Sequence, residues 1–301
     1  MGGGAWTARD WDGYTKSKNI TNQSTVKDIY KSTSMKTNLN PNGVAIRESC
    51  DSTDNPQSTA VIIGLDVTGS MGYLAETIAK GALHKLITEI YDKKPISNPH
   101  IMIMAIGDGK CDSAPLQITQ FEADIRLAEQ LSDIYFEGCG GGNGGESYLA
   151  AWYFAAKHTK IDCFEKRGQK GFLFTIGDEP NHGTLTKSEI ERIFGDRVEK
   201  DYTAEELLDE VSRKYEVFHL CVGNYAHYGS LTKWKASLNE RAFEVSDHEK
   251  IPEIIESTME VLAGKSVDVA ANQWDGSTAL VVKQAIGGLS ATVSTGELVE
   301  M

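Results

Sequence analysis

The sequence predicts an α/β fold: a doubly wound, mostly parallel sheet with one antiparallel edge strand and helices on both faces. Three observations lead there. From Thr59 to Leu262, short apolar runs alternate with amphipathic stretches of helical period, the pattern of a parallel sheet covered on both sides. The runs at 60–65, 101–106 and 171–176 are apolar at nearly every position, as strands buried on both faces must be. The run at 116–121 instead alternates apolar and polar residues, which predicts a half-exposed edge strand.

Ala60-Val-Ile-Ile-Gly-Leu65 is the clearest strand, ending in a polar, glycine-containing turn. Leu74, Ile78, Ala82, Leu86 and Ile90 then recur at fourfold spacing with Leu83 and Ile87 beside them. That is one stripe of a helix running to about Tyr91, with Pro95 stopping the pattern. A second buried strand follows at 101–106, joined by a hairpin through 107–115 to the edge strand at 116–121. Residues 123–131 and 147–158 predict helices, 171–176 a buried strand, and 190–194 and 204–214 two more helices. A strand at 215–222, a helix at 231–238, a short strand at 242–245 and a last helix at 251–262 complete the pattern.

Three regions result: an N-terminal arm over 1–57, the α/β domain over 58–264, and a C-terminal tail over 265–301. The arm is rich in Thr, Ser, Asn, Lys and Gly, yet Trp6, Trp11, Tyr14 and Tyr30 are costly to leave in water. It is therefore expected to dock. Trp274 and the apolar patches at 279–282 and 285–289 mark the tail in the same way, and it is expected to pack on or near the arm.

Composition narrows the function. The chain has 301 residues, 40% hydrophobic and 24% charged, which is ordinary globular usage and enough for a core without staples. Lys and Arg number 30 against 43 Asp and Glu, a net charge of −13, and the basic residues lie scattered among acids. Such a field repels a phosphate backbone, so nucleic acid is not an expected partner. The five cysteines are odd in number with no C-x-x-C pair, which favours reduced thiols over a disulfide framework or zinc knuckle. The N-terminus shows no secretory pattern, and Trp6 stands where myristoylation needs Ser or Thr. No apolar run approaches the roughly 20 residues that span a bilayer. A cytoplasmic protein without a membrane partner is the expectation.

In an open doubly wound sheet, ligands sit outside the carboxyl ends of the strands. After the first strand comes Asp66-Val67-Thr68-Gly69-Ser70-Met71, and after the strand at 171–176 comes Gly177-Asp178-Glu179-Pro180. Between them a glycine loop at 138–146 enters a helix. Two carboxylates, two hydroxyls and a flexible turn thus converge, all hard oxygen donors suited to magnesium or manganese.

Asp66-x-Thr68-x-Ser70 resembles the metal-ion-dependent adhesion site (MIDAS) of von Willebrand factor A (vWA) domains, and the order of elements is similar over about residues 58–264. The resemblance implies that Thr68 and Ser70 bind Mg2+ or Mn2+ directly, while Asp66 and Asp178 act largely through water. The family's third loop usually offers a threonine, and none stands between Glu137 and Ser147. Counting back from the helix puts Asn143 in that place, with Glu146 the other candidate. A bland alternative has Thr68 and Ser70 merely capping the following helix; the agreement of motif, second aspartate and glycine loop weighs against it.

Other readings of these segments fail on their own terms. A dinucleotide fingerprint must follow the first strand, and a Walker loop needs Gly-Lys-Ser/Thr at its end; the glycine loop meets neither condition. An aspartyl nucleophile of the haloacid dehalogenase kind needs D-x-D, and Thr68 stands at the second acid. The run 107–112 reads as a loop beside the metal face, either touching a partner or, more commonly for such a run, a solvated turn; His84, His182, His219 and His227 read as ordinary histidines, and Cys139 as the one thiol to test for reactivity. The expectation is a non-enzymatic vWA module of intracellular bacterial or phage type, whose cation recruits an Asp or Glu of a partner protein. An AAA-type ATPase system or a virion assembly is the kind of partner the resemblance suggests. The alternatives are a structural component of a phage particle or other assembly, and a metal-dependent hydrolase or phosphotransferase with Glu146 or Glu179 as its base.

Overall fold

The computed structural model describes residues 3–137, 144–223 and 229–290. The arm contains α1 (Ala8–Lys18), α2 (Val26–Ile29) and β1 (Arg47–Ser49). The domain then runs β2 (Thr59–Asp66), α3 (Gly72–Thr77), α4 (Leu83–Lys93), β3 (Pro99–Ile106), β4 (Leu116–Ile118), α5 (Arg126–Leu131) and α6 (Tyr148–Lys157). It continues with β5 (Thr159–Ile161), α7 (Asp162–Arg167), β6 (Gly171–Gly177), β7 (Thr184–Leu185), α8 (Lys187–Phe194), β8 (Tyr202–Thr203) and α9 (Ala204–Val211). It closes with β9 (Tyr215–Cys221), α10 (Ser230–Leu238), β10 (Ala242–Glu244) and α11 (Ile251–Leu262), and the tail adds α12 (Val267–Asn272) and α13 (Gly276–Ile286).

Six strands form the central sheet in the order β10-β9-β6-β2-β3-β4. Every pair is parallel except β3 with β4. Successive side chains of a strand face opposite ways, and β2 is buried at all eight positions, so it must be apolar on both faces. Val61, Ile63 and Leu65 join a core with Leu74, Leu86 and Ile255. Ala60 and Ile62 join the opposite core with Trp152, Leu207 and Trp234. Leu65 pairs with Ile176, which sets Asp66 level with Gly177 and places both strand exits on one rim.

Three expectations change. The helix expected through Tyr91 is split: α3 and α4 are joined by a π-helical segment, Ile78–Ala82, in which Gly81 leaves helical dihedrals. One extra residue per turn is a local insertion that apolar spacing does not reveal. The edge strand is shorter than 116–121 and buried throughout. Gln117 donates to Tyr135 O at 2.8 Å and accepts from Tyr135 N at 2.9 Å, so its amide satisfies a covering segment rather than water. The run 107–112 is also largely buried rather than solvated.

The arm is docked. Trp6 and Trp11 are buried, Trp11 stacks on His84 at 5.3 Å between centroids, and Trp6 Nε1 donates to His84 Nδ1 at 2.9 Å. Farther on, Val26 N donates to Glu76 Oε1 at 2.8 Å and Tyr30 OH to Ala75 O at 3.2 Å. The arm therefore grips α3, the helix that leaves the first-strand loop. The tail helices pack on α11. Among the described residues, no helix is long and apolar enough to cross a membrane.

Candidate metal centre

Asp66 ends β2 and is almost fully buried. Its Oδ1 accepts from Thr68 N at 2.9 Å and from Thr68 Oγ1 at 2.6 Å, while Oδ2 accepts from Tyr148 OH at 2.7 Å. Burial raises its carboxyl to about 6, against the lowering by these hydrogen bonds, and the Asp178 charge adds to the rise. A buried carboxylate with that many donors is an anchor rather than a spare surface acid.

Thr68 stands at the start of a 3₁₀ turn, Gly69–Met71, and its side chain makes no capping hydrogen bond. The capping reading therefore does not describe Thr68. Its hydroxyl proton is committed to Asp66, which leaves the oxygen lone pairs as acceptors, and that is the state a cation ligand requires. The Ser70 side chain lies outside the described residues, as do Asn143, Cys139 and His227.

Gly177 explains why β6 can pass so close. A Cβ built there would lie 1.9 Å from the Tyr148 hydroxyl and 2.9 Å from Asp66 Oδ2, so only glycine leaves room for the Tyr148–Asp66 bond. Asp178 follows, half-buried. Burial, followed by the Asp178 and Asp66 charges, raises the Tyr73 phenol.

Glu146 leads into α6. Its backbone N donates to Pro180 O at 2.9 Å, fixing it beside the loop that carries Asp178. The residue is 5% exposed, and Oε2 is buried without a hydrogen-bond partner. Burial first, then the charges of Asp66, Asp108, Asp112 and Glu179, push its carboxyl up to about 10. Glu179 is raised by burial and by Asp178, and its Oε2 is likewise buried and unpartnered.

An outer group braces the rim. His182 Nε2 and Asp108 Oδ1 lie 2.9 Å apart, Cys111 Sγ is 3.0 Å from Asp108 Oδ2, and Asp108 N donates to Asp112 Oδ2 at 2.8 Å. Ser147 Oγ accepts from Gly109 N at 2.7 Å. These bonds tie the 107–112 loop to the start of α6, so His182 is a rim-bracing residue rather than an ordinary loop histidine. Sequence reasoning missed Tyr148 and left Asp108 in a solvated turn; a tyrosine opening a largely apolar helix just after a glycine loop is the one signal that pointed at the former.

Among the described residues, no group of three or more His, Cys, Asp or Glu side chains is gathered tightly enough to hold a metal. A cation here needs hydroxyl oxygens as well as carboxylates. The donor chemistry fits a hard divalent ion: Thr68 with its proton turned away, Asp66 and Asp178 beside it, and the orphaned Glu146 Oε2.

No family model and no curated protein matched the sequence. Similar solved structures include a von Willebrand factor type A protein from Catenulispora acidiphila, with 13% identity and a TM-score of 0.38 over 70% of this chain and 44% of that one. The pilus adhesin SpaC from Lactobacillus rhamnosus GG, in its open conformation, shows 10% identity and a TM-score of 0.44 over 79% of this chain and 33% of that one. Proximal thread matrix protein 1 from the mussel byssus shows 7% identity and a TM-score of 0.43 over 68% and 48%. The chain thus spans less than half the length of each. By the strand order of its central sheet, the one antiparallel pair within that sheet and the cores on both of its faces, the chain is vWA-like in fold.

Proposed function

We propose that the chain is a divalent-cation-dependent protein-binding module whose rim at the carboxyl ends of β2 and β6 takes Mg2+ or Mn2+. The observation that carries this is the Thr68 hydroxyl, turned by its 2.6 Å bond to Asp66 so that its lone pairs are free on a rim crowded with carboxyls. Thr68 and Ser70 would be the direct hydroxyl ligands, with Asp66 holding Thr68 in place and Asp178 orienting water. For the loop position, the unpartnered Glu146 Oε2 favours Glu146 over Asn143. When bound, the cation supplies an electrophilic centre that an Asp or Glu of a partner protein completes. The reading is binding rather than turnover: Thr68, the described hydroxyl of the motif, spends its proton on an Asp66 already held by two further donors.

Calorimetric titration with Mn2+ tests this. Thr68→Val keeps the shape and removes the oxygen, and is expected to abolish binding. Tyr148→Phe loosens Asp66 and should weaken binding by about 10 to 100-fold, as loss of a supporting hydrogen bond to a metal site typically does. Affinity unchanged in Thr68→Val would overturn the reading.

A further inference from the structure

Helix α11 carries three acidic residues, Glu253, Glu256 and Glu260, and all are essentially fully buried. They line the seam that α11 forms with α4 and with the tail helices α12 and α13. From α4, Lys85 Nζ reaches Glu253 Oε1 at 2.7 Å, and Lys93 Nζ lies 3.9 Å from Glu256 Oε2 and 3.3 Å from Glu89. Beyond α11, Lys265 pairs with Glu260 Oε1. From the tail, Gln273 and Trp274 close the seam, with the Lys93 ammonium 3.0 Å over the Trp274 ring and Trp274 Nε1 donating to Ser257 Oγ at 2.8 Å. The remaining tail pair, Lys283 with Asp268, is largely exposed.

The hydrogen-bond count in this seam does not close with every acid ionised. Gln273 Nε2 carries two hydrogens, yet it faces three acceptors: Glu260 Oε2 at 2.6 Å, Ala270 O at 2.9 Å and Glu256 Oε2 at 3.2 Å. Glu256 Oε1 is buried with no hydrogen-bond partner among the described residues. Glu256 and Glu260 stand one turn apart on α11, and the one Gln273 amide nitrogen bridges an oxygen of each. One more hydrogen, on either carboxyl, supplies the missing donor and removes a like-charge contact in a dry site.

We propose that the seam between α11 and the tail holds a structural proton shared by Glu256 and Glu260, so that α12 and α13 dock tightest while it is bound. The direction of the Glu256 shift agrees. Burial and the Glu260 charge push its carboxyl up from 4.5 to about 8, with Lys93 opposing and Glu89 adding. A carboxyl raised in the docked state contributes docking stability that is complete below about 4.5 and is lost as pH rises toward 8.

Hydrogen exchange of the full chain, followed by mass spectrometry and corrected for intrinsic exchange, tests this. In the wild type, protection of 267–286 should fall about tenfold per pH unit between pH 5 and 8, the linkage of one proton, and level off above. Glu256→Gln, an uncharged near-isostere that supplies the missing hydrogens itself, should flatten that slope and keep the tail protected at pH 8. Glu260→Gln carries the same expectation should the first variant melt early. A flat wild-type profile, or a slope that persists in both variants, would overturn the proposal.

Discussion

Replacing Gly177 with alanine should break the rim from behind. The new methyl would sit 1.9 Å from the Tyr148 hydroxyl and 3.0 Å from Asp66 Cβ. Neither neighbour can retreat easily. Tyr148 is fully buried, edge-on to both His219 and Trp234 at 5.1 and 5.3 Å, and Asp66 is held by Thr68. Overpacking of this kind costs about 1 to 3 kcal/mol. Loss of the Tyr148 bond to a charged carboxyl adds about 1.5 to 3 kcal/mol, so a total near 2.5 to 6 kcal/mol is expected. Urea unfolding of Gly177→Ala, Tyr148→Phe and the double variant separates the two effects. With the hydroxyl already gone, most of the clash and all of that bond are absent. Gly177→Ala should then cost at least about 1 kcal/mol less in the Tyr148→Phe background than in the wild type. Additivity within about 0.5 kcal/mol, the usual result for independent sites, would refute the claim that Gly177 exists to admit the Tyr148–Asp66 contact.

The rim also predicts a pH signature. Asp66 and Glu146 are raised to about 6 and about 10. In EDTA their contribution to stability is complete near pH 4 and declines as pH climbs, through 6 for the first and onward for the second. Because Mg2+ selects the ionised carboxylates, the melting-temperature gain on adding Mg2+ should grow from pH 5 to pH 8; a gain independent of pH would contradict the assigned ligands. In the arm, Trp11→Ala removes a buried ring stacked on His84 and should cost about 3 kcal/mol, toward the low end for large-to-small changes at a partly open site. Proteolysis within residues 1–57 at an unchanged rate would show that the ring does not hold the arm down.

The fold was legible where burial acts on both faces of an element at once. In β2, β3 and β6 every side chain is covered, so the strands are apolar at nearly every position, and the buried exceptions His100 and Thr175 are hydrogen-bonded to Ser49 and His219. The tail was harder to read as structure. α12 and α13 bury only part of their surface, with Val269 and Leu280 exposed, and their buried residues answer to α11 rather than to the sheet. The π-helical segment was hidden for another reason: Leu74, Leu86 and Ile90 face the core on either side of it, so the stripe looks continuous across the insertion.

At the rim, visibility followed distance along the chain. Asp66 and Thr68 are two residues apart and their bond is written in the motif, whereas Tyr148 meets Asp66 across 82 positions and His182 meets Asp108 across 74. Nothing local distinguishes such partners, because α6 is buried from Tyr148 to Ala155 and a tyrosine there reads as one more core residue. Yet a buried phenol must spend its hydrogen somewhere. A tyrosine at the first turn of a helix buried over its first eight residues, with a strand-end aspartate at the same rim, leaves few acceptors in reach. The carboxylate two residues before the rim's hydroxyl is the acceptor that also explains why β6 needs glycine at 177. The Asp66-x-Thr68 motif, the helix after the glycine loop and the end of β6 are therefore one closely packed unit, and a change in any of the three should be felt at Thr68.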